Sequence, residues 1–251
     1  MKIMSIANLK GGVAKTTVSY NLAGVLAERG KRVLLIDMDY QGSLTNLFEN
    51  EEPRFDQART IVQVLFDGLA LEQAIYPTDI PNVSIVPSDI DLSVLDARFS
   101  NDLNAHFLLA ELLEPYRDRF DFILIDCPPN LFLGCRMAFV ASDSYIVPVL
   151  ADRWSLRGVG HVSHVAETIR RRANPKLELA GIVLSRIQNR KVTQLYIDEF
   201  RRQFGRKVLE TQLKERTAVQ EAATSGKPIT SYDPQGEAAE MFRSLAKELG
   251  L

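Results

Sequence analysis

The chain has 251 residues, 46% hydrophobic and 25% charged, with a formal net charge of −2. That length buries a sizeable core and the composition is that of an ordinary globular chain, which excludes a disordered one and favours a single domain over residues 1–251. Cys127 and Cys135 are too few for a disulfide framework and lack the paired CxxC spacing of zinc sites. The apolar run before Lys10 is too short for a signal peptide, and no stretch approaches eighteen apolar residues, so a cytoplasmic location is expected.

Short β-branched and aliphatic runs at 3–7, 33–36, 83–86, 122–125, 145–149 and 181–184 read as buried strands. Between the first two, Val18, Leu22, Val25 and Leu26 recur at helical spacing and stop at Gly30, a suitable C-terminal cap. Segments 108–116, 159–172, 192–204 and 238–249 read as further helices. Segment 49–59, with four acidic residues and one proline, reads as a surface loop. Alternating strands and helices imply an α/β fold: a mostly parallel, doubly wound sheet with helices on both faces and ligands at the carboxyl ends of the strands.

Directly after the first strand comes Lys10-Gly11-Gly12-Val13-Ala14-Lys15-Thr16-Thr17, followed at once by the helix to Arg29. Glycines let backbone N–H groups turn inward onto phosphate oxygens, and a helix N-terminus adds partial positive charge. Lys15 is placed to neutralise β- and γ-phosphates and the Thr16 hydroxyl to ligate Mg²⁺. The G-x-G-x-x-G spacing of dinucleotide folds is absent. Asp126 ends a buried strand, where a carboxylate can hold Mg²⁺ through water. Asp39 lies in the loop after the second strand, and Asp37 is either functional or a cap for that loop.

Leu9 and Ala14 stand where the general phosphate-loop pattern has glycines, and the loop instead resembles the deviant Walker A, K-G-G-x-x-K-[ST], of the ParA/MinD ATPases. Residues 33–39 followed by Gln41-Gly42-Ser43 are similar to that family's switch motif; Phe122-Ile-Leu-Ile-Asp126-Cys-Pro-Pro is similar to its Walker B strand, and Val147-Pro148 and Gly226-Lys227-Pro228 also match. The resemblance implies ATP and Mg²⁺ as cofactors, an ATP-dependent homodimer in which Lys10 reaches the partner's phosphates, and Asp39 positioning the attacking water. Ala14 replaces a usual glycine, where a Cβ crowds the loop if φ is positive, and Tyr40 replaces a usual proline.

Three functional classes follow from the resemblance. One is a ParA-like ATPase that binds DNA nonspecifically, positions DNA or other cargo, and is released when an adaptor or centromere-binding protein stimulates hydrolysis. The second is a MinD-like membrane ATPase, for which 238–249 reads instead as a helix packed on the sheet. The third is a synthetase or a cluster-bearing reductase, the latter poorly matched by Cys127 and Cys135. Charge favours the first, because residues 1–150 sum to −8 and 151–251 to +6, with 13 basic and 5 acidic residues between Arg170 and Arg216. Arg216, with Lys214, is the leading DNA-binding candidate; Arg170-Arg171-Arg172, Arg190-Lys191 and Arg201-Arg202 are alternatives. With Met1 only two residues before the first strand, an operator-reading extension is not expected. Ser185-Arg186 and the stretch near Leu213 are the candidate adenine contacts. A nucleoid-associated protein is the expectation.

Overall fold

The computed structural model describes residues 1–49, 54–188 and 191–251, and of Lys191 the backbone only. Residues 50–53 of the expected surface loop, and Arg190 of the basic candidates, lie outside the described residues. In chain order the elements are β1 (Lys2–Ile6), α1 (Lys15–Glu28), β2 (Val33–Asp37), α2 (Ile61–Asp67), β3 (Tyr76–Pro77), β4 (Val83–Val86), α3 (Leu95–Arg98), α4 (Leu108–Leu113), β5 (Phe122–Asp126), α5 (Leu133–Ala141), β6 (Ser144–Val149), α6 (Arg153–Arg172), β7 (Glu178–Ile187), α7 (Lys191–Phe204), β8 (Val208–Lys214), α8 (Thr217–Thr224), α9 (Ile229–Tyr232) and α10 (Glu237–Glu248).

The sheet has eight strands in the order β3-β4-β2-β5-β1-β6-β7-β8. All neighbours pair in parallel except β3, which runs antiparallel to β4. Because side chains alternate across a strand, the fully buried run of β2 serves both faces. Leu34 and Ile36 join an apolar layer with α2, α5, α6 and α7, while Val33 and Leu35 join one with α1 and α10. The doubly wound expectation is met, and continuous apolar strands are what burial on both faces requires.

Local chemistry sets the boundaries that differ from expectation. Pro115 splits the expected 108–116 helix, since it has no N–H to donate into the helical ladder; α4 stops at Leu113 and a 3₁₀ turn follows over Glu114–Tyr116. The helix expected at 159 begins instead at Arg153, because the Asp152 carboxylate accepts from the Ser155 N–H at 2.8 Å and caps it. On the other face, Gly24 of α1 is required by close approach: a Cβ there would lie 2.5 Å from Pro228. The Gly226-Lys227-Pro228 element therefore packs directly on the helix that leaves the phosphate loop, and the Asn21 side chain fixes it by accepting from the Ile229 N–H at 2.7 Å.

Candidate functional site

The carboxyl ends of β1, β2 and β5 meet where the sheet register sets Ile6, Asp37 and Asp126 side by side. Between β1 and α1 the loop turns through two left-handed residues, Gly12 (φ 73°) and Ala14 (φ 69°, ψ 27°). Gly12 adopts this without strain, and Ala14 bears a cost of roughly 1–2 kcal/mol. Val13 between them is fully buried, and its carbonyl accepts from the Ser185 hydroxyl at 2.9 Å. That bond ties the loop to the end of β7.

Asp126 is 1% exposed and accepts from the Thr16 hydroxyl at 2.7 Å and the Ser19 hydroxyl at 2.9 Å. Burial, together with the neighbouring Asp37 charge, pushes its carboxyl up to about 7, against the pull of those hydroxyls and Lys15. Asp37, also pushed up by burial to about 6, accepts from the N–H groups of Asp39, Leu44 and Thr45 and from the Thr45 hydroxyl, at 2.9–3.1 Å. It is a staple for the switch loop. Thr45 extends the staple by accepting from the Ser88 N–H at 2.9 Å. Asp39 is 8% exposed, and its Oδ1 accepts from the Gln41 N–H at 3.1 Å.

A cavity of about 530 Å³ opens over this floor, lined by Gly11, Gly12, Ala14, Lys15, Thr16, Thr17 and Asp39 on one side. The lining also includes Arg186, Leu213, Lys214 and Arg216, and Arg186 reaches the Gly12 carbonyl at 3.4 Å, so phosphate-loop, adenine and DNA candidates share one pocket. Arg186 itself sits at φ 50° and pairs with Glu215 at 2.9 Å. Lys214 and Arg216 both pair with Glu237, at 3.0 and 2.8 Å. Four candidates for phosphate, metal or base do not line the cavity, and one of them is Ser185, which is fully buried with its hydroxyl on the Val13 and Val149 carbonyls. Val13 is buried beneath it, Asp126 lies behind Thr16, and Lys10 turns to Asp152, its Nζ 2.7 Å from Oδ2. By contrast Lys15 is buried, with Nζ 3.4 Å from the Lys10 carbonyl.

Sequence reasoning passed over Ser19, Thr45 and Asp152. Ser19 could have been found as the residue one turn after Lys15, sharing the helix face with Thr16. Asp152 directly follows strand β6, where ligand-facing groups of such sheets lie. The donor set fits Mg²⁺ and a polyphosphate: hydroxyl and carboxylate oxygens in contact, with no nitrogen or sulfur ligand among the described residues, beside a lysine at a helix N-terminus. Cys127 and Cys135 are buried within the chain, and burial raises the Cys127 thiol, so neither presents a sulfur to a second subunit.

Fold and site together define a P-loop nucleotide-hydrolysing protein. Residues 1–179 match the family model for an AAA domain. The sporulation initiation inhibitor protein Soj of Bacillus subtilis is 34% identical over 249 residues, covering 99% of this chain and 98% of that protein. The chromosome partitioning protein ParA of Myxococcus xanthus is 31% identical over 249 residues, covering 99% of this chain and 87% of that one. Apo McdA of Cyanothece shares the fold, with a TM-score of 0.89 at 22% identity over the whole of both chains. Cobyrinic acid a,c-diamide synthase of Mycobacterium smegmatis, solved with an ATP analogue and magnesium, has a TM-score of 0.84 at 25% identity, covering 98% of this chain and 93% of that one. The chain belongs to the ParA/MinD family of P-loop ATPases.

Proposed function

We propose that this protein is a ParA-type positioning ATPase. It hydrolyses ATP with Mg²⁺, dimerises in the ATP state, binds DNA of any sequence, and is released when an adaptor or centromere-binding protein stimulates hydrolysis. Such a protein is cytoplasmic and nucleoid-associated. Mg-ATP, when bound, supplies the phosphoryl group and a divalent charge opposite the buried carboxylates. The main-chain N–H groups of Gly11 to Thr17 hold phosphate oxygens, and Lys15 adds its ammonium charge. Thr16 and Asp126, already joined by a 2.7 Å hydrogen bond, would hold the metal. Asp39, stapled by way of Asp37, orients the attacking water. Arg186 and Leu213, in the same lining, take the base.

The observation that carries this reading is the placement of Lys10. It lies outside the cavity that Lys15 serves, its side chain is 40% exposed, and one carboxylate holds it. A lysine placed so is available to the phosphates of a second copy. Similarity to the chromosome partitioning protein ParA of Myxococcus xanthus supports the positioning role, and the basic excess of the second half supports DNA as the surface.

The test is DNA binding and sedimentation with a slowly hydrolysed ATP analogue and with ADP. The analogue, and not ADP, should give a dimer that binds arbitrary duplexes with affinity falling steeply as salt rises. Arg216→Glu should weaken binding to all sequences alike and leave the dimer intact, because phosphate contacts carry no base information. Preference for one sequence would contradict the mechanism. ATP-dependent binding to anionic vesicles without DNA binding would place the protein with MinD-like membrane ATPases.

A further inference from the structure

The second half of the chain gathers positive charge in two places. Near the nucleotide pocket, Lys214 and Arg216 share Glu237, so an acid sits between the two cations. The other place is the corner where α6 and α7 end and where β7 and β8 begin. It holds Arg170, Arg171 and Arg172 from the last turn of α6, Arg201 and Arg202 from that of α7, and Lys176, Arg206 and Lys207 from the connections into the strands.

Much of this charge has a structural explanation. Cations in a last helical turn complement the helix dipole. Arg170 and Arg171 pair with Glu167, Arg202 with Glu199 and Arg201 with Glu210. Lys207 donates to the Leu179 carbonyl at 2.9 Å, which joins the start of β8 to β7. Arg172, Lys176 and Arg206 are different. All three are exposed, and among the described residues their side chains make no ion pair or hydrogen bond. Arg172 and Lys176 come from the end of α6 and its connection to β7, and Arg206 from the connection of α7 to β8, so neither one helix dipole nor one charge run accounts for all three.

We propose that this corner is a second phosphate-backbone contact for duplex DNA, distinct from the pocket-side cations Lys214 and Arg216; the inference rests on the DNA-binding reading above. Arg186 near the end of β7 lines the nucleotide pocket, whereas Lys176 lies two residues before that strand. Strand rise puts the two ends on the order of 30 Å apart. A dimer joined across the pocket face through Lys10 therefore keeps both corners outside the interface, where they enlarge the footprint. DNA is favoured over a lipid surface because none of the large exposed apolar side chains falls within 166–180 or 200–210, and interfacial membrane binding requires such side chains to insert.

The test is a titration of a 30-base-pair duplex of arbitrary sequence over a range of salt, with the full chain and a slowly hydrolysed ATP analogue. Wild type is compared with the triple variant Arg172→Ala, Lys176→Ala, Arg206→Ala, with Arg216→Glu, and with all four substitutions together. The triple variant should keep ATP turnover and the dimer. Its slope of log affinity against log salt should be shallower by about 0.9 for each contact removed, and the loss should add to that of Arg216→Glu. An unchanged slope in the triple variant, with wild type binding DNA normally, overturns the corner and leaves the proposed function standing. No DNA binding by wild type overturns both. Loss of binding to phosphatidylglycerol vesicles without change on DNA overturns the proposal in favour of a lipid contact.

Discussion

The two ends of the sheet handle charge in opposite ways. At the carboxyl ends of β2 and β5, Asp37 and Asp126 are withdrawn from water, and each is held by several N–H or hydroxyl donors. At the amino ends of β7 and β8, cations stand in solvent, several of them tied only to surface glutamates. Buried carboxylates cost several kcal/mol unless something compensates, and here hydroxyls of α1 and donors of the switch loop hold them in place. Exposed cations cost almost nothing to keep, and their surface ion pairs contribute about 0–1 kcal/mol each. The first arrangement specifies one small ligand with its metal. The second specifies only the sign of a partner, and salt tunes it.

The sharpest way to break this comparison is at Lys15. It is the buried cation of the site, so Lys15→Ala leaves polyphosphate charge without its partner and should weaken ATP by about 3 kcal/mol, roughly a hundredfold or more. Calorimetric titration decides it, and an affinity within threefold of wild type would sink the phosphate-loop assignment. Single surface substitutions such as Arg172→Ala should leave ATP affinity unchanged in the same measurement.

Next in size is the pH dependence of the metal-free protein. Burial raises both Asp37 and Asp126 above the ordinary carboxylate value, to about 6 and about 7. The native state therefore binds protons that the unfolded chain has already released, and stability falls as pH rises from about 4 to about 7. In chelator, urea unfolding should show that fall. Asp126→Asn should flatten it, and saturating Mg-ATP should reverse it, because a bound cation favours the ionised form. A metal-free stability that rises across the same range would show that the carboxylate pair is already compensated.

Smaller still is the effect of the Lys10–Asp152 pair, whose two side chains are 40% and 31% exposed. Solvent screening limits such a pair to about 0.5–1 kcal/mol. Asp152→Asn removes the charge while keeping an N-cap for α6, so the ATP-dependent dimer should tighten by roughly two- to fivefold. Lys10→Ala should bind nucleotide and remain monomeric in light scattering. A weaker dimer for Asp152→Asn would mean that Asp152 belongs to the interface itself and does not compete with it.

The comparison also explains what the sequence disclosed. The strand, phosphate loop and α1 were legible because their spacing is local: a buried run, glycines where the backbone turns, then helical periodicity. The places of Asp126 at the end of an apolar strand and of Asp39 in the loop just after one were legible from the apolar runs before them. The partnership of Lys10 with Asp152 was not, since it spans 142 positions and only strand order brings β6 beside β1. Strand β8 was missed because Val208, Leu209 and Leu213 are buried while Glu210 and Lys214 stand in solvent, a mixed pattern that an edge strand shares with a loop. Helix α5 was missed at Leu133–Ala141 because it is apolar nearly all round, which removes the amphipathic signal.

The smallest expected effect tests whether backbone strain belongs to the site. Ala14 holds φ 69° and ψ 27° at the entry to α1, while its neighbour Gly12 takes a similar turn as a glycine. Relieving a left-handed alanine returns roughly 1–2 kcal/mol, and the added freedom of glycine in the unfolded chain removes about 0.4–1 kcal/mol. Ala14→Gly should therefore stabilise the protein by about 0.5–1 kcal/mol, raising the thermal midpoint by roughly 2 °C for a domain of this size. Because the Ala14 side of the loop lines the cavity, ATP affinity should rise slightly or stay within twofold. A lowered midpoint would show that the Ala14 methyl makes packing contacts worth more than the strain, and that the loop is built around alanine and does not merely tolerate it.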